Sequence, residues 1–304
     1  MIKARGLART FTVRGRPVEA VAGIDIDVQP GEVVGFLGPN GAGKTTTLRM
    51  LATLLRPTAG DAIVAGHDLR SDPAGVRRNI GYLGQGNGGG LDQRVRDELT
   101  IQAKLYRAPL ARVPQLLEEF ELTDVADRLV GSLSGGQKRR LDIVLGMIHR
   151  PELMFLDEPS TGLDPQSRGN LWRHVRALRD DHGATVFLTT HYLDEADALC
   201  DRILVIDHGR IVAEGTPDEL KSKVSGDLVS LTVSDPRRAT ARCAGATVTG
   251  DRIDFRVPRG DTALPGLLRD LADADITVTS IQTHRPTLDD VFLTLTGRSL
   301  RDGS

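Results

Sequence analysis

A glycine-rich segment near the start of the chain has residue types that suit phosphate binding. It follows an apolar run, Val33–Leu37, and precedes a segment with the apolar spacing of a helix. Glycines allow backbone N–H groups to curl around phosphate oxygens, and a helix start adds positive dipole. A lysine can then reach the β- and γ-phosphates, and a hydroxyl can bind Mg²⁺. The pattern predicts a phosphate loop made of Gly38, Pro39, Asn40, Gly41, Ala42, Gly43, Lys44 and Thr45.

Two adjacent acids follow a second apolar run, at residues 153–156. Because ligands gather at the carboxyl ends of strands in open α/β sheets, Asp157 and Glu158 are expected near the phosphate loop. Asp157 suits Mg²⁺ coordination, through water, and Glu158 suits polarising a water that attacks the terminal phosphate. A strand that ends in acids is common by itself, so this prediction depends on the phosphate loop.

His191 follows a third apolar run, which covers residues 185–190. A lone histidine is more often a structural hydrogen-bonding group than a catalytic one. Its position beside two other site-bearing strand ends favours the catalytic role here. A neutral imidazole at this place can hydrogen-bond a γ-phosphate and hold the attacking water in line.

A second candidate anion site lies further along the chain, at the start of another helix-periodic segment. Ser134, Gly135, Gly136 and Gln137 combine a hydroxyl, exposed N–H groups and a helix dipole. An ordinary N-cap would need only the serine, and two glycines weaken a helix start. Because one nucleotide needs only one phosphate loop, the second site predicts two facing subunits that each offer this segment to the other's nucleotide.

These residues require a scaffold of alternating strands and helices. Continuous apolar runs suit strands of a parallel sheet covered on both faces, and helix-periodic segments separate them. The pattern predicts an α/β domain over residues 1–220, with a helical subdomain at about 88–150. The strand candidates are 33–37, 153–156, 185–189 and 202–206.

The pattern changes after residue 220, where a small α+β domain is predicted over 221–304. A closing helix is well signalled, because Thr287 and Asp290 can form a capping box and Gly297 can end the helix. The other predicted elements are strands at Asp227–Val233, Arg252–Val257 and 276–282 and a helix at 262–274.

The composition excludes several classes of protein. Lysine plus arginine (39) nearly cancel aspartate plus glutamate (41), so no strong field attracts nucleic acid. Cys200 and Cys243 fit no metal-ligand or redox spacing and no disulfide framework. No run approaches the roughly 18 apolar residues of a spanning helix, and the start has no signal-peptide core. These features predict a cytoplasmic protein whose membrane role must come through a partner.

Taken in order, the motifs resemble those of ABC-type ATPase subunits over residues 2 to about 220. They are GPNGAGKTT, Gln85, LSGGQ, LMFLDEP, STGLD and His191. The resemblance implies ATP and Mg²⁺ as cofactors, and a head-to-tail homodimer that sandwiches two ATP between each phosphate loop and the opposite LSGGQ. It implies that Phe11 stacks on adenine, that Gln85 contacts Mg²⁺ and the attacking water, and that Asp164 belongs to a loop communicating between sites. It also extends the phosphate-binding set to Thr46.

The C-terminal run PTLDDVFL resembles the daunorubicin-resistance branch of this family, although an ordinary amphipathic helix would look similar. The branch implies an ATPase that powers export of a hydrophobic drug or lipid-like compound through a separate permease. Such a subunit is held at the cytoplasmic face of the cell membrane. The alternatives are a soluble ABC ATPase acting on the ribosome or DNA, and an uptake subunit. The single cassette, without a coiled-coil insertion, and the balanced charge disfavour nucleic acid as a partner.

A glycine run at residues 84–94, GQGNGGGLDQR, lies outside the phosphate loop. The glycine content fits a phosphate cradle, a flexible linker or a segment that depends on the glutamine at its start. The resemblance implies that residues after Gln85 meet a cytoplasmic helix of the permease. Relatives usually carry bulkier residues at 86–90, so the run predicts a softer joint to the permease or a fit to an unusual partner surface.

Overall fold

The chain divides into two compact units, Met1–Pro217 and a second that begins at Asp218. A computed structural model describes residues 1–297 apart from Asn87, Ser225, Arg259 and Arg285. The predicted C-terminal range of 221–304 includes 298–304, which lie outside the described residues. None of the described helices combines the length and hydropathy of a membrane span.

The first unit alternates strands with helices over most of its length. Its strands are β1 (Ile2–Val13), β2 (Arg16–Val28), β3 (Val33–Leu37), β4 (Ala59–Val64), β5 (His67–Asp68), β6 (Ile80–Leu83), β7 (Leu153–Asp157), β8 (Thr185–Thr190), β9 (Arg202–Asp207) and β10 (Arg210–Gly215). Its helices are α1 (Lys44–Leu51), α2 (Pro73–Asn79), α3 (Val95–Leu105), α4 (Arg112–Glu119), α5 (Gly135–Met147), α6 (Pro165–Asp180) and α7 (Leu193–Leu199), and α8 (Pro217–Ser222) begins at the boundary.

The central sheet carries the predicted site at one edge. Its strand order is β10-β9-β3-β8-β7-β6, and all neighbours pair in parallel except β10 and β9. Leu37 pairs with Thr190 and Asp157 pairs with Thr189, so the carboxyl ends of β3, β7 and β8 meet. The predicted α/β fold is confirmed, and each predicted strand of this sheet is present to within one residue.

A second, antiparallel sheet of the first unit, with order β2-β1-β4-β5, has no counterpart among the predicted strands. The strand β1 is interrupted by register shifts and by Gly6 at φ 56°, so its burial does not alternate cleanly. Its inward side chains share one core with the central sheet and α1. That core includes Leu7, Ile26, Phe36, Leu48 and Phe155.

The second unit is a small antiparallel sheet with helices, as predicted. The sheet order is β12-β13-β11-β14. The elements are β11 (Asp227–Val233), α9 (Pro236–Thr240), β12 (Thr247–Thr249), β13 (Arg252–Val257), α10 (Gly260–Ala272), β14 (Val278–His284) and α11 (Leu288–Thr296).

Two predicted elements in this unit are displaced by two residues at both ends: the helix predicted at 262–274 is Gly260–Ala272, and the strand predicted at 276–282 is Val278–His284. The helix α10 begins at Gly260 rather than at 262, because the Gly260 N–H donates to Asp227 Oδ2 at 2.7 Å. The strand β14 begins at Val278 rather than at 276, because the Ile276 N–H instead donates to Leu271 O at the end of α10. The capping box of Thr287 and Asp290 is confirmed, and Gly297 ends α11 with φ 73°.

Candidate functional site

The phosphate loop lies between β3 and α1, and its path requires glycine. Gly41 and Gly43 have φ angles of 80° and 106°, in the left-handed region that other residues rarely adopt. A Cβ atom on Gly43 would lie 2.5 Å from Ala20 O, and one on Gly38 would lie 2.3 Å from Ile206 O. The loop is therefore closely packed against β2 and β9, and side chains would obstruct the cradle.

Lys44 is buried at the first position of α1, where its ammonium is held by the loop itself. Its Nζ donates to Gly38 O at 2.8 Å and to Pro39 O at 3.1 Å. The same atom lies 3.3 Å from Glu158 Oε1. Burial lowers the pKa of Lys44, while Glu158 opposes that shift. The Lys44 ammonium group therefore lies beside the phosphate loop.

Asp157, Thr45 and Gln85 form a connected polar group beside the loop. Thr45 Oγ1 donates to Asp157 Oδ1 at 3.0 Å, and Gln85 Nε2 donates to Thr45 Oγ1 at 3.2 Å. Burial raises the pKa of Asp157, opposed by hydrogen bonds from Thr189 and Thr45. Asp157 Oδ2 is buried and accepts no hydrogen bond from the described residues. A carboxylate oxygen, a hydroxyl and an amide oxygen are the ligand types that Mg²⁺ prefers, so this group fits the metal.

Glu158 holds a strained backbone conformation at the end of β7. Its φ is 48°, and its N–H donates to Thr189 O at 3.1 Å and to Thr189 Oγ1 at 3.0 Å. His191 Nδ1 lies 3.3 Å from Glu158 Oε1, a contact without the direction of a good hydrogen bond. His191 and then Lys44 lower the pKa of Glu158 to about 2, against the effect of burial. Glu158 is therefore ionised at neutral pH.

A cleft of about 550 Å³ opens over these groups. Nine of the predicted site residues line it: Asn40, Gly41, Gly43, Lys44, Thr45, Thr46, Gln85, Gly135 and Glu158. It is also lined by Ala20, Lys138, Arg139, Thr161, Gly162 and Leu163, which the motifs do not single out as binding residues. One opening thus contains the phosphate loop, the Lys44 ammonium, the candidate metal ligands Thr45 and Gln85, and the ionised Glu158 carboxylate.

Comparisons with known proteins agree with this geometry. A family described as "ABC transporter" matches residues 21–161, and "ATP-binding protein DrrA1-3-like, C-terminal domain" matches residues 215–296. The daunorubicin resistance ATP-binding protein DrrA3 of Streptomyces coeruleorubidus is 45% identical over 296 residues, 93% of each chain. The chain belongs to the ABC transporter ATP-binding family.

One further relative and one solved structure are similar to this ABC protein. The Nod factor export ATP-binding protein I of Burkholderia thailandensis is 40% identical over 292 residues, 93% of each chain. A solved dimeric ATP-binding cassette in a post-hydrolysis state, bound to ADP and Pi, matches with a TM-score of 0.65 at 23% identity. That match covers 71% of this chain and 98% of the other, and it shows the fold alone. As an ABC-type ATPase, the chain binds ATP and hydrolyses it, as the motifs predict.

Phe11 lies on β1, opposite Val18 of β2, and does not line the cleft. The Arg9 guanidinium covers one face of its ring, with Arg9 Cζ 4.6 Å from the centroid. Arg9 Nη1 also donates to Arg56 O at 2.8 Å, which anchors it. One ring face of Phe11 is therefore covered by Arg9, so the predicted stacking on adenine would have to use the other face.

The second candidate anion site lies at the start of α5 in the ABC domain, and its serine and glutamine cap the helix reciprocally. Gln137 N donates to Ser134 Oγ at 3.3 Å, and Ser134 N donates to Gln137 Oε1 at 3.0 Å. Gly136 has a packing reason as well, because a Cβ there would lie 3.1 Å from Ser167 Oγ. Helix capping thus explains Ser134 and Gln137, and close packing explains Gly136. Only the exposed Gly135, on the cleft, lacks a structural explanation.

Asp164 caps the start of α6 and does not touch the cleft. It accepts from Ser167 N at 2.9 Å and from Ser167 Oγ at 2.6 Å, and Pro165 is the first helical residue. The preceding residues of the same loop, Thr161, Gly162 and Leu163, do line the cleft.

Arg139 lines the cleft but belongs to no motif that would have marked it, because a basic residue on a helix usually indicates a solvated face.

Proposed function

We propose that this ATPase uses Mg²⁺-ATP to power export of a hydrophobic drug or lipid-like compound through a separate membrane permease. The observation that carries the proposal is that Lys44, Thr45, Gln85 and Glu158 line one cleft, with the buried Asp157 bonded to Thr45. The names of relatives, which refer to daunorubicin resistance and Nod factor export, support the direction and the kind of compound. The substrate itself is contacted mainly by the permease.

The residues of the cleft divide the work of hydrolysis. The backbone of residues 38–46 binds the phosphates, and the Lys44 ammonium moves from its loop carbonyls to the β- and γ-phosphates. Thr45, Gln85 and Asp157 are the residues that would hold Mg²⁺, and the bound ion would supply positive charge to neutralise the phosphates. Glu158 accepts a hydrogen bond from the attacking water, and His191 and Gln85 hold that water in line.

Two copies of the chain are proposed to meet head to tail around two nucleotides. The N-terminal segment of α5, Ser134 to Gln137, then binds the γ-phosphate held by the other copy, and Asp164 belongs to the loop between the two sites. Nucleotide contacts both copies and stabilises the closed pair, whereas hydrolysis removes the γ-phosphate contact and lets the pair open. Transport follows from the different affinity of the two states for nucleotide.

A cleft of about 250 Å³ beside the glycine run is proposed to receive the permease's cytoplasmic helix. It is lined by glycines and by aromatic, acidic and basic side chains, among them Gly84, Gly88, Glu98, Tyr106 and His149. Its lining includes Gly84 and Gly86, the neighbours of Gln85, so a helix seated there would contact the segment that carries Gln85 to the nucleotide site. This arrangement would hold the subunit at the cytoplasmic face of the membrane, with no nucleic-acid partner.

The double change Gly88→Ala, Gly89→Ala is expected to lower transport more than the ATPase activity of the isolated subunit. Added Cβ atoms would lie 3.2 Å from Asp142 Oδ1 and 3.5 Å from Glu98 Cγ, so the segment stiffens and narrows beside the proposed permease cleft. Gly169→Ala on α6 is the matched control, because it lies outside both clefts and a Cβ there meets nothing within 4 Å. Transport and phosphate release are measured side by side, and equal losses in both would contradict a coupling role.

Export is tested with inverted membrane vesicles that contain this chain and its co-purifying permease. ATP is expected to drive accumulation of daunorubicin, and vesicles with Lys44→Ala in this chain are expected to accumulate none. Loss of drug from preloaded vesicles on adding ATP would indicate uptake. Purification without any integral membrane chain would instead favour a soluble ATPase acting on the ribosome or DNA.

A further inference from the structure

Arg139 lies on α5, two residues after Gln137, and its buried guanidinium binds the backbone of two other segments. Nη1 donates to Gly84 O at 2.8 Å, and Nε donates to Pro159 O at 2.8 Å. Nη2 donates to Glu158 O at 3.0 Å and to Asp157 O at 3.3 Å. The side chain is 10% exposed. One arginine therefore binds four carbonyl groups from two segments that lie far apart in the sequence, Gly84 and the run 157–159.

Both of these segments carry residues proposed for hydrolysis. Gly84 directly precedes Gln85, and the other three carbonyls belong to the stretch that holds Asp157 and Glu158. Glu158 has a left-handed φ of 48°, which a residue with a side chain keeps only when its surroundings hold it. Thr189 holds its N–H, and Arg139 holds its carbonyl. The direction of the Glu158 carboxylate thus depends on a donor from α5.

Asp142, one turn further along α5, holds the far end of the Gln85 segment. Its Oδ1 accepts from Gly88 N at 2.8 Å, and its Oδ2 lies 3.8 Å from Arg139 Nη1. Asp142 is 5% exposed, and its Oδ2 accepts no hydrogen bond within the described part of the chain. Gly84 and Gly88, on either side of Gln85, are therefore both bound to one face of α5.

We propose that Arg139 and Asp142 are positioning residues for ATP hydrolysis. They connect the helix that begins with Ser134 to the Gln85 segment and to the Glu158 backbone of the same chain. A shift of that helix when its N-terminal end engages a nucleotide is passed to the water-binding groups. This inference rests on the proposed roles of Glu158 and Gln85.

The chemistry of the guanidinium suits this task better than that of a lysine. Its donors have a fixed planar arrangement, and three nitrogen atoms here reach carbonyls in two directions. A lysine ammonium is a point charge on a flexible stem and can satisfy only part of that set. Arg139→Lys is therefore expected to restore part of the function, in contrast to an apolar residue of similar length.

Arg112 on α4 offers a matched control for a purely structural role, because it binds the other end of α5. Arg112 is also buried and binds backbone carbonyls, with Nε to Ile148 O at 3.0 Å and Nη2 to Met147 O at 3.2 Å. These carbonyls lie at the opposite end of α5 and carry no site residue. Arg112→Met removes the same kind of contact from the same helix, far along the chain from Gln85 and Glu158.

The test compares Arg139→Met, Arg139→Lys, Asp142→Asn and Arg112→Met in the full-length chain. Arg139→Met is expected to lower kcat by about tenfold to a hundredfold, because a misplacement of about 1 Å at a reacting centre has an effect of that order. The KM for ATP and the affinity for ATP are expected to stay within about threefold, since the phosphate loop is untouched. Arg139→Lys and Asp142→Asn should lie between Arg139→Met and wild type.

Thermal denaturation of each variant separates positioning from stability. Arg112→Met is expected to lower Tm to a similar extent as Arg139→Met and to leave kcat near wild type. Equal kcat losses in these two variants, or an unchanged kcat in Arg139→Met, would overturn the inference. If Arg139→Met fails to fold, Arg139→Lys and Asp142→Asn decide by the same split between kcat and KM. Glu158→Gln is measured alongside. Wild-type turnover in that variant would contradict the proposed role of Glu158, on which the inference rests. Lost turnover in Glu158→Gln with unchanged turnover in Arg139→Met would contradict only the positioning inference.

Discussion

Replacing Glu158 with glutamine is expected to lower ATP turnover by about a hundredfold or more, since a general base contributes roughly 10²–10⁴-fold. The amide keeps the size of the side chain but cannot accept a proton from the attacking water. ATP binding should persist, because the phosphate loop and Lys44 are unchanged. The variant is expected to accumulate as a closed dimer with ATP, which gel filtration detects while phosphate release reports turnover.

The control for this variant is Glu152→Gln, the same substitution at the opposite end of the same strand region. Glu152 is exposed and precedes Leu153, the first residue of β7. It should leave both turnover and dimer formation unchanged. Turnover near the wild-type rate in Glu158→Gln would show that another group activates the water.

The low pKa of Glu158 bears on how this base works. His191 and Lys44 hold it at about 2 in the chain without nucleotide, where it would be a weak proton acceptor. When Lys44 turns toward incoming phosphates, one of these two causes is removed and negative charge arrives nearby, and both changes raise the pKa. The base is thus expected to become stronger as ATP binds, which links its proton affinity to occupancy of the cleft.

The ends of the central strands could be predicted because they are continuous apolar runs followed by polar residues. Lys44, Thr45, Asp157 and Glu158 therefore meet where their strands end, and pairing of Asp157 with Thr189 sets the register. Parallel strands buried on both faces leave little ambiguity in such runs. The residues that come together at this edge of the sheet follow from the sequence pattern of each strand and its next residues, so they could be inferred from the sequence.

Features that depend on distant contacts could not be inferred in this way. Nothing near Arg139 in the sequence indicates that four carbonyls from elsewhere surround it. The antiparallel sheet of the first unit was missed because shifts in register hide the alternation in β1. Gly136 suggested an anion site, yet the close approach of Ser167 also requires a small residue there. A glycine can be required for packing as well as for binding, and the packing requirement is visible only from the distance to Ser167 in the structure.

Lys44→Ala is expected to lower the affinity for ATP by about tenfold to a hundredfold, because hydrogen bonds to charged groups contribute about 1.5–3 kcal/mol. The ammonium now bound to Gly38 O and Pro39 O is the cation placed to reach the phosphates. Turnover should fall further than affinity, because the lysine also stabilises charge that develops during transfer. Titration with a fluorescent ATP analogue measures the first effect, and phosphate release at saturating ATP measures the second.

The matched control is Lys3→Ala, which removes an exposed lysine from β1 and should change neither quantity. The two measurements on Lys44→Ala distinguish what the ammonium does. Lost affinity with proportionate turnover would mean that it binds ATP and the transition state equally well. Kept affinity with lost turnover would mean that it leaves its loop carbonyls only as the γ-phosphate is transferred. Values within about twofold of wild type for both would contradict any phosphate contact by Lys44, and the Lys44–Glu158 pair would then serve only to stabilise the nucleotide-free cleft.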